Sequence, residues 1–226
     1  RLDIHQGLIA ESLVYSTLQS GPEFGSWLSA RPAAAARKPS PEPPVLLARS
    51  GPRLELTLNR PEKRNAFSAR MRDVLVEGLR TAASDPSITE VVLRGAGAAF
   101  CSGGDLDEFG SLPDPSTAHA VRSTRNPARL LAECASRVRV ELHGACVGAG
   151  IELAAFAGKL TAAKDAFFQL PEVAMGLVPG AGGTVSIPRR IGRQRTAYLA
   201  LSGLPIDAIT AHRWGLVDEI REEPVV

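Results

Sequence analysis

A repeated order of apolar strand, glycine-rich loop and helical segment constrains the fold of this sequence most. EVVLRG at 90–95 precedes the loop FCSGGDL at 100–106, and RVRVEL at 137–142 precedes the loop GACVGAG at 144–150. Strands that alternate with helices predict an α/β fold with substantial parallel pairing. Sites of such folds usually lie in the loops at the strand ends, so these loops are the first candidates for a functional site.

The chain divides into three parts by its sequence pattern. Residues 4–19 place apolar side chains at helical spacing, which predicts an amphipathic helix. The run AAAARKPSPEPP contains four prolines and no apolar periodicity, as is typical of an extended linker. We therefore predict a helical leader at 1–32, a Pro/Ala-rich linker at 33–44 and a core domain at 45–226.

Local signals predict several elements within the core domain. Leucines alternate along RLELTLN, which indicates one strand of a hairpin. Ser68 is well placed to cap the next helix at its N-terminus. A further helical stretch is expected from about 116 to 135.

Composition and charge limit the classes of partner. A formal net charge of +2 is too small to indicate nucleic acid as the main partner. No apolar run approaches the roughly 18 residues of a membrane helix. The three cysteines form no CxxC pair, and their odd number fits a reducing compartment, so we expect a cytoplasmic protein without a membrane span.

Common catalytic and nucleotide-binding motifs do not fit the chain. GAGAAF has Phe100 where GxGxxG has its third glycine, and GAGIEL ends in Leu153. Neither a P-loop nor a GxSxG elbow occurs. The histidines lie outside any HExxH or CxxC context, so no metal site is predicted; they are His5, His119, His143 and His212.

The glycine loops have another possible use. Each precedes an apparent helix start, where backbone N–H groups lack partners and the helix dipole favours negative charge. Two such N–H groups can converge on one oxygen and form an oxyanion hole. The alternative is that both loops are simply tight turns between strand and helix.

Two glutamates follow these loops in apolar surroundings. Glu152 lies in VGAGIELAAF and Glu172 lies in QLPEVAMG. Burial raises the pKa of a carboxyl group, and two neighbouring carboxyls push their pKa values apart. Such a pair can perform acid and base chemistry near neutral pH, although either residue alone could be a solvated surface glutamate.

Five ordered stretches between about residues 45 and 220 resemble the enoyl-CoA hydratase/isomerase, or crotonase, superfamily. They are LNRPEKRNAFSARM, AFCSGGDLDEF, HGACVGAGIELAA, FFQLPEVAMGLVPGAGGT and RWGLVDEI. The resemblance implies a crotonase-like spiral of ββα turns. It also implies assembly as a homotrimer or a dimer of trimers.

The resemblance assigns roles to individual residues. Gly104 and Ala149 match the two oxyanion-hole positions, although the second is usually glycine. Glu152 and Glu172 match the two catalytic glutamates. The positions implied to bind the CoA substrate are Lys63, Arg64, Ala66, Ser102, Gly103, Asp105 and Leu106, and the basic side chains among them could instead be solvated loop charges.

Both glutamates together favour hydration of an enoyl-CoA thioester, or dehydration of a 3-hydroxyacyl-CoA. The alternatives are an enoyl-CoA isomerase, another crotonase-type reaction, or a non-catalytic CoA-binding scaffold. The implied substrate is an acyl-CoA thioester, and no separate cofactor is expected because coenzyme A is part of the substrate.

The leader resembles the C-terminal helical segment of the family. The matching stretch is ESLVYSTLQSGPEFGSWLSARP. We expect the leader to dock where that C-terminal trimerisation helix would lie, in its own subunit or in a neighbouring one. The alternative is a flexible extension.

Overall fold

Two β-sheets form the framework of the core domain in this computed structural model, which describes residues 2–32, 40–112 and 114–222. The strands are β1 (Val45–Ser50), β2 (Arg53–Leu58), β3 (Glu90–Gly95), β4 (Val138–Leu142), β5 (Ala145–Val147), β6 (Lys159–Ala163), β7 (Phe167–Gln169), β8 (Ile206–Asp207) and β9 (Glu219–Arg221). The first sheet has the order β1-β2-β3-β4-β6-β9, and the second has the order β5-β7-β8. Apart from the antiparallel pairs β1–β2 and β7–β8, neighbouring strands are parallel.

Helices cover the sheets and carry the chain between them. They are α1 (Ile4–Gln19), α2 (Pro22–Ser29), α3 (Ala69–Ser84), α4 (Pro115–Thr124), α5 (Pro127–Glu133), α6 (Ala149–Ala154), α7 (Gly183–Ser202) and α8 (Ala208–Trp214). Short 3-10 turns lie at Pro61–Lys63, Leu106–Glu108, Ala135–Arg137 and Glu172–Met175.

From β4 to β7, consecutive strands alternate between the two sheets, as the predicted spiral requires. The chain passes from β4 in the first sheet to β5 in the second, and α6 then returns it to β6 in the first. The next turn passes from β6 to β7 in the same way. The predicted α/β spiral of ββα turns is therefore confirmed.

The local predictions at the start of the core domain are also confirmed. Leu54, Leu56 and Leu58 are buried, while the residues between them on β2 are half-buried. The Ser68 hydroxyl accepts a hydrogen bond of 3.2 Å from Met71 N at the start of α3. Capping by serine stabilises a helix by about 1 kcal/mol relative to alanine.

The helix expected from about 116 to 135 is interrupted, so that prediction is wrong in its continuity. Helix α4 ends at Thr124, and α5 begins at Pro127. The residue before a proline is disfavoured in helical conformation. Asn126 is accordingly extended, and its side chain accepts a 2.9 Å hydrogen bond from Ala128 N.

The leader forms two helices that pack on the core domain of the same chain. Helix α1 contacts α4, α5 and α7, and α2 contacts the turn at Glu172–Met175. Leu8 of α1 joins the main hydrophobic core, and Phe24 of α2 packs with Tyr15 and Leu177 in a smaller cluster. Of the predicted linker, residues 33–39 lie outside the described residues.

Across the described ranges, no helix combines the length and apolar character that a membrane crossing requires.

Candidate active site

A cavity of about 670 Å³ lies between the leader and the core domain. All four residues predicted for the oxyanion hole and for catalysis line it together: Gly104, Ala149, Glu152 and Glu172. Helices α1 and α2 contribute Tyr15, Phe24 and Leu28 to its wall, which also includes residues of α3 and α4. None of these three leader residues was among the predicted site residues.

Backbone pairing brings the two glycine-rich loops side by side. Cys101 N donates to Ala145 O and Val147 N donates to Cys101 O, both at 3.0 Å. Gly103 packs so closely that a Cβ on it would lie 3.3 Å from Val147 O. The residues that follow, Gly104 and Ala149, therefore meet at the same cavity.

The N–H groups of Gly104 and Ala149 have no hydrogen-bond partner among the described residues. Gly148 has a φ of 49°, which turns the chain sharply into α6. Ala149 begins that helix and is not among the residues with positive φ. An alanine therefore fits at this position without backbone strain, and its N–H remains available to a ligand oxygen.

Glu152 is held rigidly at the cavity wall. Its side chain is 2% exposed, and Oε2 accepts hydrogen bonds from Ala181 N at 2.7 Å and from Gly183 N at 2.9 Å. Burial, followed by the nearby charges of Glu172 and Glu11, raises its pKa well above the ordinary value, although the two N–H groups oppose the shift.

Glu172 lies at the start of a 3-10 turn, after Pro171. Its Oε2 is buried without a hydrogen-bond partner in the part of the chain that the structure describes. Burial, with a smaller contribution from the charge of Glu11, raises the pKa of Glu172 to about 7. A carboxyl with this pKa can both release and accept a proton at neutral pH.

A third carboxylate, Glu11 of α1, lies beside this pair and was missed from the sequence. Its Oε1 accepts from Gly182 N at 2.6 Å, and its Oε2 accepts from Thr184 N at 2.8 Å and from Thr184 Oγ1 at 2.6 Å. Burial raises the pKa of Glu11 to about 7 against these hydrogen bonds and the charge of Arg122. Its place in the leader gave no local signal for contact with the core.

The residues implied to bind CoA gather in two adjoining loops. Ser102 N donates to Arg64 O at 3.0 Å, and Ala66 N donates to Lys63 O at 3.1 Å. Phe67 N donates to Gly103 O at 2.7 Å, which joins the two loops. Except for Asp105, the residues implied to bind CoA do not line the cavity itself.

The charged side chains of these loops form ion pairs with one another. Lys63 Nζ lies 2.7 Å from Asp107 and 3.3 Å from Asp105, and the hydrogen bond to Asp107 is the main cause of its raised pKa. Burial would raise the pKa of Asp105, but Arg60, at 2.8 Å, together with the Asp107 N–H and Lys63 holds it below the ordinary value. Leu106 O accepts from Arg31 Nη1 of the leader at 2.6 Å.

Asn65 organises the first of these loops and was also missed from the sequence. It is fully buried with a φ of 54°. Its side chain accepts from Arg60 N at 2.7 Å and donates to Ala96 O at 2.9 Å and to Ala99 O at 2.8 Å. The sequence signal was the stretch RNAF, in which an asparagine tolerates the left-handed conformation better than other non-glycine residues.

No cluster of three or more His, Cys, Asp or Glu side chains suited to a metal ion occurs within 2–32, 40–112 and 114–222.

Comparison with known proteins identifies relatives of the chain. Residues 53–226 match the family model described as enoyl-CoA hydratase/isomerase. The chain is 36% identical over 174 residues to 1,2-epoxyphenylacetyl-CoA isomerase of Escherichia coli, with 75% of this chain and 66% of the relative covered. It is 36% identical over 178 residues to 2,3-dehydroadipyl-CoA hydratase of the same organism, with 78% and 68% covered.

A solved structure has a similar fold. The crystal structure of enoyl-CoA hydratase from Thermoplasma volcanium superposes with a TM-score of 0.74 at 33% identity, covering 80% of this chain and 73% of that one. The chain thus spans about two thirds of the length of its curated relatives.

Proposed function

The chain belongs to the enoyl-CoA hydratase/isomerase family, and we propose that it hydrates an enoyl-CoA thioester or dehydrates the corresponding 3-hydroxyacyl-CoA. One observation carries the proposal. Two unpartnered backbone N–H groups, the buried Glu152 and the half-buried Glu172 line the same cavity.

In the proposed reaction, the thioester oxygen accepts hydrogen bonds from the N–H groups of Gly104 and Ala149. Water adds to the β-carbon while one glutamate takes its proton. The electrons of the carbon–carbon double bond move toward the thioester oxygen, which becomes an enolate, and a proton is then delivered to the α-carbon. Each backbone donor would stabilise the transition state by about 2.7–4 kcal/mol.

Glu152 and Glu172 share the proton transfers. Because the two carboxyls are electrostatically coupled, their protons leave in steps that belong to the pair. The anchoring of Glu152 by Ala181 and Gly183 favours a fixed orientation towards the substrate. Glu172 Oε2 has no hydrogen-bond partner among the described residues, so this carboxyl is held less firmly than that of Glu152.

The CoA portion would lie against the adjoining loops outside the cavity. We assign its binding to Lys63, Arg64, Ala66, Ser102, Gly103, Asp105 and Leu106. The ammonium group of Lys63 is already ion-paired with Asp105 and Asp107. Its attraction for a phosphate of CoA is therefore weaker than that of an unpaired lysine.

Self-association as a homotrimer or a dimer of trimers remains part of the proposal. Large apolar side chains near the C-terminal end of α7 and on α8 are exposed, including Leu201 at 73% and Ile209 at 61%. The mass of the assembly, measured by analytical ultracentrifugation, tests it.

Isomerisation is a second candidate because one relative with 36% identity is named an isomerase. The two reactions differ in their need for water. A panel of 2-enoyl-CoA and 3-enoyl-CoA thioesters separates them: a hydratase removes the ultraviolet absorbance of a conjugated 2-enoyl bond, whereas an isomerase creates it from a 3-enoyl substrate. Absence of both changes across the panel would contradict the enzymatic proposal.

A further inference from the structure

The N-terminal turn of α7 is held by two carboxylates in alternation. Glu152 accepts from Ala181 N and Gly183 N. Glu11 accepts from Gly182 N, which lies between these two donors in the sequence, and from Thr184 N, which follows them. Four successive backbone donors of one turn are thus divided between a leader residue and a core residue.

This alternation couples the two side chains mechanically. Residues 181–184 are consecutive at the start of α7, so a shift of Gly182 or Thr184 would also displace the N–H groups of Ala181 and Gly183. The hydroxyl of Thr184 adds a third hydrogen bond to Glu11 and fixes its carboxylate further. Glu11 therefore determines the direction from which the Glu152 carboxylate is held.

We propose that Glu11 is a positioning residue for Glu152: through the first turn of α7 it holds the catalytic carboxylate in place, so the leader completes the active site. This inference rests on the proposed function. No contact between Glu11 and substrate is needed, because Glu11 acts through the backbone that Glu152 contacts.

Charged and titratable groups from several elements surround Glu11. Arg122 of α4 is the nearby cation, and it also donates to Ser12, Ser16 and Gln19 of α1 and stacks over Tyr15. His119 of α4 hydrogen-bonds to Ser12.

The other carboxylates act electrostatically on the same cluster. The charge of Glu11 raises the pKa of both Glu152 and Glu172. The charges of all three glutamates contribute, after burial, to the raised pKa of Tyr15. The leader therefore acts on the catalytic pair in two ways: Glu11 hydrogen-bonds to the backbone beside the donors of Glu152, and its charge raises the pKa of both glutamates.

The substitution Glu11→Gln tests the proposal with little change in size. A glutamine has one amide oxygen, so whichever way the amide is turned its nitrogen faces the N–H of either Gly182 or Thr184 with a donor instead of an acceptor. We expect kcat on the substrate identified from the panel to fall about 10- to 100-fold, since small misplacements of reacting groups have effects of this size. KM is expected to change less than about threefold, because substrate-contacting groups are unchanged.

Two variants control for loosening of the leader and for loss of a leader charge. Leu8→Ala weakens the packing of α1 at a buried position without changing the hydrogen bonds of α7. Glu23→Gln removes a carboxylate from an exposed position on α2. The two variants are compared at equal loss of thermal stability. A larger fall in kcat for Glu11→Gln than for Leu8→Ala supports the positioning role, and an equal fall in both contradicts it.

Crystal structures of the wild-type protein and of Glu11→Gln provide a readout that does not depend on turnover. The proposal predicts that Glu152 loses or lengthens at least one of its bonds to Ala181 and Gly183 in the variant. Unchanged bonds would overturn it. If the wild-type protein turns over no thioester of the panel, the proposed function fails, whereas this structural comparison still decides whether Glu11 positions Glu152.

Discussion

The Glu172 carboxylate lies directly against the α-carbon of Gly148: a Cβ built at this glycine would stand 2.5 Å from Glu172 Oε1. Gly148 also has a φ of 49°, which side chains of L-residues disfavour. This glycine therefore has two functions. It turns the chain into α6, which places Ala149, and it leaves space for the second glutamate.

Gly148→Ala is expected to remove turnover and to lower thermal stability. The added methyl group would displace Glu172 and strain the turn before Ala149. Gly51→Ala is the matched control, since Gly51 has a φ of 56° and open space where an added methyl group would lie. Loss of stability in both variants with loss of kcat only in Gly148→Ala is the predicted pattern; normal kcat in Gly148→Ala would count against the site geometry.

Ala149→Gly is expected to leave kcat within about threefold of the wild-type value. Ala149 has no positive φ, and its N–H is retained in the variant. Glycine within a helix costs about 0.5–1 kcal/mol relative to alanine, so a small loss of stability in urea unfolding is expected. A large gain in kcat would show that the alanine methyl group obstructs the thioester, contrary to this account.

Stability is expected to fall as pH rises from about 4.5 to about 7. The pKa of Glu11 is raised from 4.5 to about 7 in the folded protein, chiefly by burial, and that of Glu172 is raised similarly. Between these values the folded state holds more protons than the unfolded state, so the free energy of unfolding decreases with increasing pH. Deprotonation then leaves buried charges that the unfolded chain would expose to water.

Glu11→Gln is expected to flatten this pH dependence, because glutamine does not titrate. Urea unfolding at pH 5 and pH 7.5 measures the effect, with Glu23→Gln as the control. An equal slope in Glu11→Gln and the wild-type protein would contradict the raised pKa of Glu11.

Gly180→Ala is expected to loosen the leader. A Cβ at Gly180 would overlap the ring of Tyr15, which is buried on α1. The added methyl group must push this ring away from the core. In urea unfolding, Gly180→Ala combined with Tyr15→Ala should lose less stability than the sum of the two single changes, because the double variant has no ring to displace. Strict additivity would mean that the two positions are not in contact.

The alternation of strands and helices and both glutamates could be predicted from the sequence because their signals are local, whereas the spiral was implied by the resemblance to the family. Glu152 and Glu172 each lie in a short apolar stretch next to a glycine or proline, and the strands have clear apolar patterns. The break at Pro127 was missed because apolar periodicity continues on both sides of it.

The contribution of the leader to the site could not be predicted in the same way. Glu11 and Thr184 are 173 positions apart, and their contact depends on how α1 packs against α7. The resemblance of this stretch to a C-terminal helix of the family predicted docking of the leader, but it did not single out Glu11. Its proximity to Glu152 is a tertiary property that no local pattern carries.

We propose that Glu152 and Glu172 act together as the acid and base of a hydration reaction. The most direct test of this proposal is the rate of hydration of crotonyl-CoA or a longer enoyl-CoA, followed by the absorbance of the conjugated bond, in the wild-type protein and in Glu152→Gln and Glu172→Gln. Each substitution keeps the size of the side chain and removes its proton transfer, which usually contributes about 10²- to 10⁴-fold to the rate. We expect kcat to fall by this factor in both variants while the fold is retained. Wild-type turnover in both variants would contradict the two-glutamate mechanism.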